Sequence, residues 1–225
     1  MKITYKLLLF LCTNFIYSQD ALRYRTDLNI QELTKKRNTT LTTKPNEQHY
    51  TNNSYIFGYL YYKEKKTDQE YYLRYNAFKD LIEISQGKES PEIVLKDSDI
   101  SCIIGIKKYI YINNNPAIKK GYLELIYSNK ENGLYAREKL IYKKAIKAIT
   151  SLTPDIPAKY IRLKSYYVLS SNKELIKEIP SKRKGFIKSF IKIKQKKIKS
   201  FIRKNKIDLD NNSHVIKVYK FALNL

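Results

Sequence analysis

The stretch that decides the fold is Glu70-Tyr71-Tyr72-Leu73-Arg74-Tyr75-Asn76-Ala77. Its odd-numbered residues are all apolar or aromatic, whereas Arg74 and Asn76 occupy even positions. Because successive side chains of a strand point to opposite faces, this alternation predicts a strand with one face in a core and the other toward water or a ligand. Just before it, residues 55–62 are apolar or aromatic on both alternating faces, which predicts a strand covered on both sides.

The same texture of short Tyr-, Ile- and Val-rich runs, separated by turn residues, continues to Pro180. Stretches such as Gln86-Gly87-Lys88 are typical of turns. We predict strands at residues 55–63, 70–77, 80–85, 92–96, 100–106, 108–113, 120–127, 134–142, 158–164, 165–170 and 174–179. So many short strands favour an α+β fold. We expect a mainly antiparallel β-sheet, as a curled sheet, an open barrel or a sandwich, followed by C-terminal amphipathic helices.

After Pro180 the spacing of apolar residues changes from two to about 3.6, which indicates helices. Most cations fall opposite the apolar half of the helical wheel. That half contains Phe186, Ile187, Phe190, Ile191, Ile193, Ile198, Phe201 and Ile202. Lys194 and Lys197 interrupt it, so we predict a break near residues 192–195, between helices at 182–192 and 195–205. A third helix is predicted from about Asn212. Residues 181–225 should form a basic helical segment packed on a β domain of residues 55–180.

Residues 1–18 have the three parts of a cleavable secretory signal peptide. Lys2 and Lys6 give a cationic start, residues 7–17 are largely apolar, and Ser18 is a small residue before the polar Gln19. An apolar run of about a dozen residues is too short to cross a bilayer as a helix, which needs roughly 20. We predict export to the periplasm or the extracellular space, with no transmembrane span in the mature chain. The polar residues 19–54 are predicted to form a flexible N-terminal arm.

Removing residues 1–18 leaves 207 of the 225 residues, which suits one domain with an appendage. Cys102 is then the only cysteine, so no internal disulfide can form, and its apolar neighbours predict a buried, inert thiol. His49 and His214 are far apart in sequence. No zinc-binding, phosphate-loop or nucleophile-turn motif occurs, so we predict no metal site, no cofactor and no catalytic residue.

The strongest charge feature is a basic run at residues 182–206. The formal net charge of +23 becomes +21 without the two lysines of the signal peptide, and twelve of these 25 residues are basic and none acidic. Such a run favours an anionic partner, and an exported protein meets envelope surfaces or acidic proteins more often than nucleic acid. The residues predicted to bind this partner are Lys182, Lys184, Lys188, Lys192, Lys196, Lys199 and Arg203. A solvated face without a partner accounts for the same pattern.

Two other functions stay open. A ligand-binding β domain would use Tyr59, Tyr61, Tyr72 and Tyr75, because tyrosine combines apolar area with a polar tip. A hydrolase would need two carboxylates roughly 5–10 Å apart across a cleft. The candidates are Asp80, Glu83, Glu124 and Glu138, although outward-facing strand carboxylates paired with lysines explain them better. An outer-membrane barrel is disfavoured because the chain ends in a helical pattern rather than a strand.

Three stretches carry a family resemblance: Leu73-Arg74-Tyr75-Asn76-Ala77-Phe78-Lys79-Asp80-Leu81-Ile82-Glu83-Ile84, Gly121-Tyr122-Leu123-Glu124-Leu125 and Lys199-Ser200-Phe201-Ile202-Arg203-Lys204-Asn205-Lys206. By order and spacing they resemble a family of uncharacterised secreted or envelope proteins of Bacteroidota. The similarity spans nearly the whole mature chain. It implies an envelope or secreted location in a diderm bacterium, and it transfers no activity and no catalytic residue.

Overall fold

The computed structural model describes residues 34–36, 46–85, 92–94, 96–113, 115–148, 150 and 154–225. The predicted signal peptide at residues 1–18 lies outside the described residues, as does most of the predicted arm at residues 19–54.

Alternating apolar side chains produce the predicted strands, and the strands of the described residues form one antiparallel sheet of eleven. In chain order they are β1 (Thr34–Lys36), β2 (Ile56–Tyr62), β3 (Lys65–Asn76), β4 (Leu81–Ser85), β5 (Glu92–Val94), β6 (Ile100–Ile104), β7 (Lys107–Ile112), β8 (Gly121–Ser128), β9 (Asn132–Lys143), β10 (Lys159–Ser170) and β11 (Leu175–Pro180). Across the sheet the order is β1-β5-β4-β3-β2-β6-β7-β8-β9-β10-β11.

Three helices follow the sheet: α1 (Arg183–Lys188), α2 (Lys192–Lys204) and α3 (Asn212–Leu223). A short 3-10 turn at Glu47–His49 precedes β2. Asn211 caps α3, since its side chain accepts a hydrogen bond from the Ser213 backbone N–H. The prediction of a mainly antiparallel sheet with C-terminal helices is confirmed. Within the described residues, no helix combines the length and the apolarity needed to cross a membrane.

The sheet bends strongly but is not closed into a barrel, because β1 and β11 stand at opposite ends of the strand order. The bend brings β3 to β9, which are not neighbours in the sheet. The Ala77 carbonyl, just after β3, accepts a hydrogen bond from the Leu140 N–H at 3.1 Å. The Tyr75 hydroxyl lies 3.3 Å from the Glu138 carbonyl. One end of β3 and β4 is therefore held against the middle of β9.

Three clusters of buried apolar side chains hold the fold. The first lines the bent part of the sheet, with Leu60, Leu73, Ile82, Cys102 and Tyr122 among its members. The second joins β9, β10 and β11 to the helices and includes Leu134, Tyr166, Ile179, Phe186, Ile198, Ile202 and Val215. The third includes Ile110, Leu123 and Leu169, whose chain neighbours belong to the other two, and it therefore covers the opposite face. The helices are thus part of the hydrophobic core.

Gly58 permits the close approach of β2 to β6. A Cβ atom at this position would overlap the carbonyl oxygen of Ile103 on β6. A side chain here would force the two strands apart, since that oxygen belongs to the backbone.

The predicted flexible arm is wrong for its last part, residues 46–54. Tyr50 is buried and forms a β-bridge with Asn76. The Arg162 guanidinium donates to the carbonyls of Gln48 and Tyr50, at 3.1 and 3.3 Å. These contacts attach the segment to β3 and β10, so the β domain begins earlier than residue 55.

Two predicted breaks are also placed differently. Residues 158–164 and 165–170 form the single strand β10, which pairs with β9 over its whole length. The helix break falls at residues 189–191, before Lys192 rather than after it. The Ser189 hydroxyl donates to the Phe186 carbonyl at 2.6 Å and ends α1. Lys194 does not interrupt α2, because its ammonium group donates to the Ala222 carbonyl at 2.8 Å, in the last turn of α3.

Candidate functional site

The basic run forms an exposed surface, which we call the basic helical surface and define as the twelve cations of residues 182–206. Eleven of the twelve are exposed, including all seven predicted to bind an anionic partner: Lys182, Lys184, Lys188, Lys192, Lys196, Lys199 and Arg203. Lys194 is half-buried through its bond to α3. Phe186, Ile198 and Ile202 are buried in the second apolar cluster, and the cations are left in solvent.

The charge of this surface is not compensated within the described residues. No carboxylate of that part of the chain lies within ion-pair distance of any of the twelve cations. Some cations of the sheet are paired, as Lys107 is with Glu124 at 3.4 Å and Arg74 with Glu83 at 2.8 Å. The helical segment differs in density, because it carries twelve cations and no acidic residue over residues 182–206.

Exposed isoleucines stand among these cations. Ile191 and Ile193 flank Lys192 at the start of α2 and are 60% and 83% exposed. Beside them, a groove of about 250 Å³ runs between β11 and the helices, lined by Ile176, Phe190 and Leu223 among others. Burial, and then the nearby Lys194 charge, lower the pKa of Lys177 in this groove. The start of α2 is both cationic and apolar, a combination that solvent alone does not favour.

The four tyrosines predicted to share a ligand face do not lie on one surface. Tyr72 is 58% exposed, and Tyr59 and Tyr61 are half-buried on the same face of the sheet. The Lys66 ammonium lies 3.4 Å from the Tyr59 ring centroid. Tyr75 points into the core on the other face, and its hydroxyl donates to Asp80 Oδ1 at 2.8 Å. Tyr75 therefore belongs to a different site from the other three.

The candidate carboxylates are also separated. Glu83 is fully buried and accepts hydrogen bonds from Arg74, Tyr50 and Tyr55. Burial and the Glu83 charge raise the pKa of Tyr55 to about 12. Glu124 pairs with Lys107. Neither of these two carboxylates lines a cavity with Asp80, so Asp80 and Glu138 remain as candidates for a shared site.

Asp80 and Glu138 do line one cavity, of about 570 Å³, which we call the basic cavity. It is formed where the turn after β3, the loop before β8, β9, β10 and the segment after β11 meet. Seven cationic side chains line it: Lys79, Lys119, Lys120, Arg137, Lys139, Lys164 and Lys182. Three carboxylates also line the basic cavity: Asp80, Glu138 and Glu178. Glu138 is neutralised by Arg162 and lies 3.9 Å from the Lys164 ammonium.

Asp80 is the anchor of this cavity. Its backbone has φ 51°, in the left-handed region that a side chain adopts at a cost. Its Oδ1 accepts from the Tyr75 hydroxyl and from the Tyr122 backbone N–H, at 2.8 and 3.1 Å. Its Oδ2 lies 4.0 Å from Arg137 Nη2. These bonds join the turn after β3 to the start of β8 and position the carboxylate beside a guanidinium.

The remaining reactive side chains are packed into the structure. His49 stacks on Phe78 with ring centroids 4.5 Å apart, and burial together with the Lys79 charge lowers its pKa. Cys102 is buried and unpaired. No group of three metal-ligating side chains occurs within the described ranges. Sequence reasoning missed Arg137, Gly121 and the basic cavity, although Asp80 and Gly121 stand in two of the stretches that carry the family resemblance.

Comparison with known proteins adds no relative. No family model matches the chain, and neither a curated protein nor a solved structure matches it significantly. The resemblance to secreted proteins of Bacteroidota therefore stays a prediction.

Proposed function

We propose that this chain is an exported, non-enzymatic binding protein of a bacterial cell envelope, and that its basic helical surface holds it to an anionic lipid surface. The observation that carries the proposal is the set of exposed cations without carboxylate partners in the described part of the chain, with Ile191 and Ile193 exposed among them. The signal-peptide pattern and the resemblance to Bacteroidota proteins support the location.

The physical argument is that both components of interfacial binding are present. A basic residue close to an anionic membrane contributes on the order of 1 kcal/mol of attraction, which salt screens. Exposed isoleucines contribute by leaving water for the boundary between headgroups and acyl chains. In this arrangement the apolar residues of α1 and α2 are already buried in the second core cluster, so only the start of α2 inserts.

The alternatives have less support. A tyrosine-lined ligand site would need Tyr75 on the same surface as Tyr59, Tyr61 and Tyr72, and it lies on the other face. A hydrolase would use Asp80 and Glu138, which share the basic cavity, but Glu138 pairs with Arg162 and both lie among many cations.

Vesicle binding tests the proposal. The mature chain, without the predicted signal peptide, should sediment with vesicles of phosphatidylglycerol but not with phosphatidylcholine, and binding should weaken as salt is raised. Replacing Lys188, Lys192, Lys196 and Lys199 by Gln should lower the affinity about tenfold or more. A matched control replaces four exposed lysines outside the segment, Lys130, Lys143, Lys144 and Lys147, and should bind much as the wild type does.

A second variant separates insertion from charge. Ile191→Ser with Ile193→Ser keeps every cation and should weaken the binding that remains at high salt. Deleting residues 181–225 is not informative, because it uncovers the second core cluster. Equal binding by the four-lysine variant and its control, or retention on heparin with no binding to anionic vesicles, would contradict a lipid partner.

A further inference from the structure

The basic cavity contains a preformed guanidinium site. Arg137 is 9% exposed, and its Nη1 donates to the Lys119 carbonyl at 2.6 Å. Its buried Nη2 has no hydrogen-bond partner among the described residues, since Asp80 Oδ2 is 4.0 Å away. A buried donor without a partner costs free energy, so its retention points to a partner that arrives from outside.

Gly121 makes room for this guanidinium. Its φ is 151°, and a Cβ atom there would overlap both Arg137 and Asp80. The backbone at the start of β8 therefore leaves a cradle in which Arg137 lies between the Lys119 carbonyl and the Asp80 carboxylate. A buried side chain held by a backbone hydrogen bond beside a carboxylate keeps its geometry without a ligand, which reduces the entropic cost of binding.

Another part of the lining of the basic cavity is apolar. Phe78 and Leu163 are both exposed there although they stand among charged residues. Tyr167 adds ring surface and a hydroxyl that accepts from the Ser165 hydroxyl at 3.1 Å. Small-molecule sites commonly combine such apolar walls with a few convergent polar groups.

The charge balance selects the ligand class. Seven cations and three carboxylates leave an excess of four positive charges around the cavity. A doubly charged group with tetrahedral oxygens fits this excess better than a single carboxylate, and an arginine fork binds two of its oxygens at once.

We propose that the basic cavity binds an organic phosphate monoester, with its phosphate toward Arg137, Lys119 and Lys139 and its apolar or ring-shaped body against Phe78 and Leu163. This site goes beyond the membrane contact proposed above. Apart from Lys182, it uses none of the cations of the basic helical surface.

Calorimetric titration of the full chain with phenyl phosphate tests the site. We expect saturable binding, at least about tenfold weaker binding of inorganic phosphate, and none of phenol. Lys119→Gln with Lys139→Gln should weaken phenyl phosphate binding about tenfold or more, since two charge-assisted contacts are lost. The control pair, Lys130→Gln with Lys144→Gln, should change nothing.

Leu163→Ser removes apolar area at an exposed position. It should weaken the binding of phenyl phosphate without affecting the binding of inorganic phosphate. Arg137→Gln should abolish binding, but only a variant with the wild-type circular dichroism spectrum counts. The lysine pair tests the site if Arg137→Gln does not fold. Displacement of phenyl phosphate by glucose 6-phosphate assigns the site to soluble esters, and displacement by dihexanoyl phosphatidate assigns it to lipid headgroups. Either supports the proposal.

Three results would overturn the proposal: no binding of phenyl phosphate, binding unchanged by the Lys119 and Lys139 replacements, or phenol binding as well as phenyl phosphate. Because these variants keep Lys188, Lys192, Lys196 and Lys199, vesicle binding should be unaffected. If phenyl phosphate binding is lost while vesicle binding is kept, or the reverse, failure of this site is distinguished from failure of the membrane proposal.

Discussion

Cys102 lies in the core of the bent sheet, with 1% of its surface exposed. Burial raises the pKa of its thiol well above the ordinary value, because the thiolate would lose its hydration. We expect a Cys12→Ser chain, in which Cys102 is the only cysteine, to show no reaction with a disulfide reagent such as DTNB at pH 8. One equivalent should react in denaturant. Rapid modification of the native protein would mean that this part of the core opens easily.

Local patterns predicted some residues of this structure and missed others. The burial of Cys102 followed from its apolar neighbours, and the exposure of the seven basic-run cations from a run without acids. Arg137 gave no such signal, because a single arginine on a strand is ordinary. Its role depends on Asp80 and Gly121, which come from distant parts of the chain and meet only when β3 bends over β9.

Docking of the helices on β10 depends on a buried hydrogen bond. The Tyr166 hydroxyl donates to the Leu209 carbonyl, in the loop between α2 and α3, at 2.8 Å. Tyr166→Phe leaves that carbonyl buried without its donor and should lower the free energy of unfolding by about 1–3 kcal/mol. Urea denaturation followed by circular dichroism measures this.

Tyr142→Phe is the matched control, since the Tyr142 side chain is exposed and its ring contact with Tyr160 would remain. Its effect should stay within about 0.5 kcal/mol. If the two variants unfold at the same urea concentration, the bond to Leu209 does not stabilise the docked helices.

The strands were predictable because apolar alternation reports directly on burial, but their limits were not. The predicted break at residues 164–165 falls beside Lys164, inside what is a single strand. Lys164 in fact donates to the Asp210 carbonyl at 2.7 Å, which accommodates a charge within a continuous β10. The helix break predicted at Lys194 is wrong for the same reason, since the ammonium group of Lys194 has its hydrogen-bond partner on α3. Long-range partners of charged side chains are invisible to local periodicity.

Tyrosine makes the whole molecule sensitive to alkali. The chain has 21 tyrosines, and burial raises the pKa of many of them, to about 12 for Tyr55 and strongly for Tyr75, Tyr109 and Tyr122. A folded-state pKa above the unfolded value gives stability that is complete below about pH 10 and is lost as pH rises toward the folded pKa. The free energy of unfolding should therefore fall between about pH 10 and pH 12.

Absorbance at 295 nm, which reports the phenolate, measures this transition alongside circular dichroism. Tyr75, Tyr109 and Tyr122 should ionise only together with loss of the native spectrum. Lysines also lose charge in this range and reduce repulsion in a basic chain, but they do not absorb at 295 nm. Ionisation of all 21 tyrosines in one step near pH 10, with the fold intact, would contradict the burial described here.

The strand order has a consequence for how the chain folds. Among β2–β11, every pairing joins strands consecutive in the chain except that of β2 with β6, which sets Leu60 opposite Cys102. Two meanders, β2–β5 and β6–β11, can each form by local hairpin closure, which costs little chain entropy. They must then pair along a seam between β2 and β6, where Gly58 leaves no room for a side chain, and the end of β3 must also reach β9. We expect formation of that seam to be the slow step in refolding. Pairing segments that are distant in sequence loses chain entropy before the contacts between them stabilise the fold.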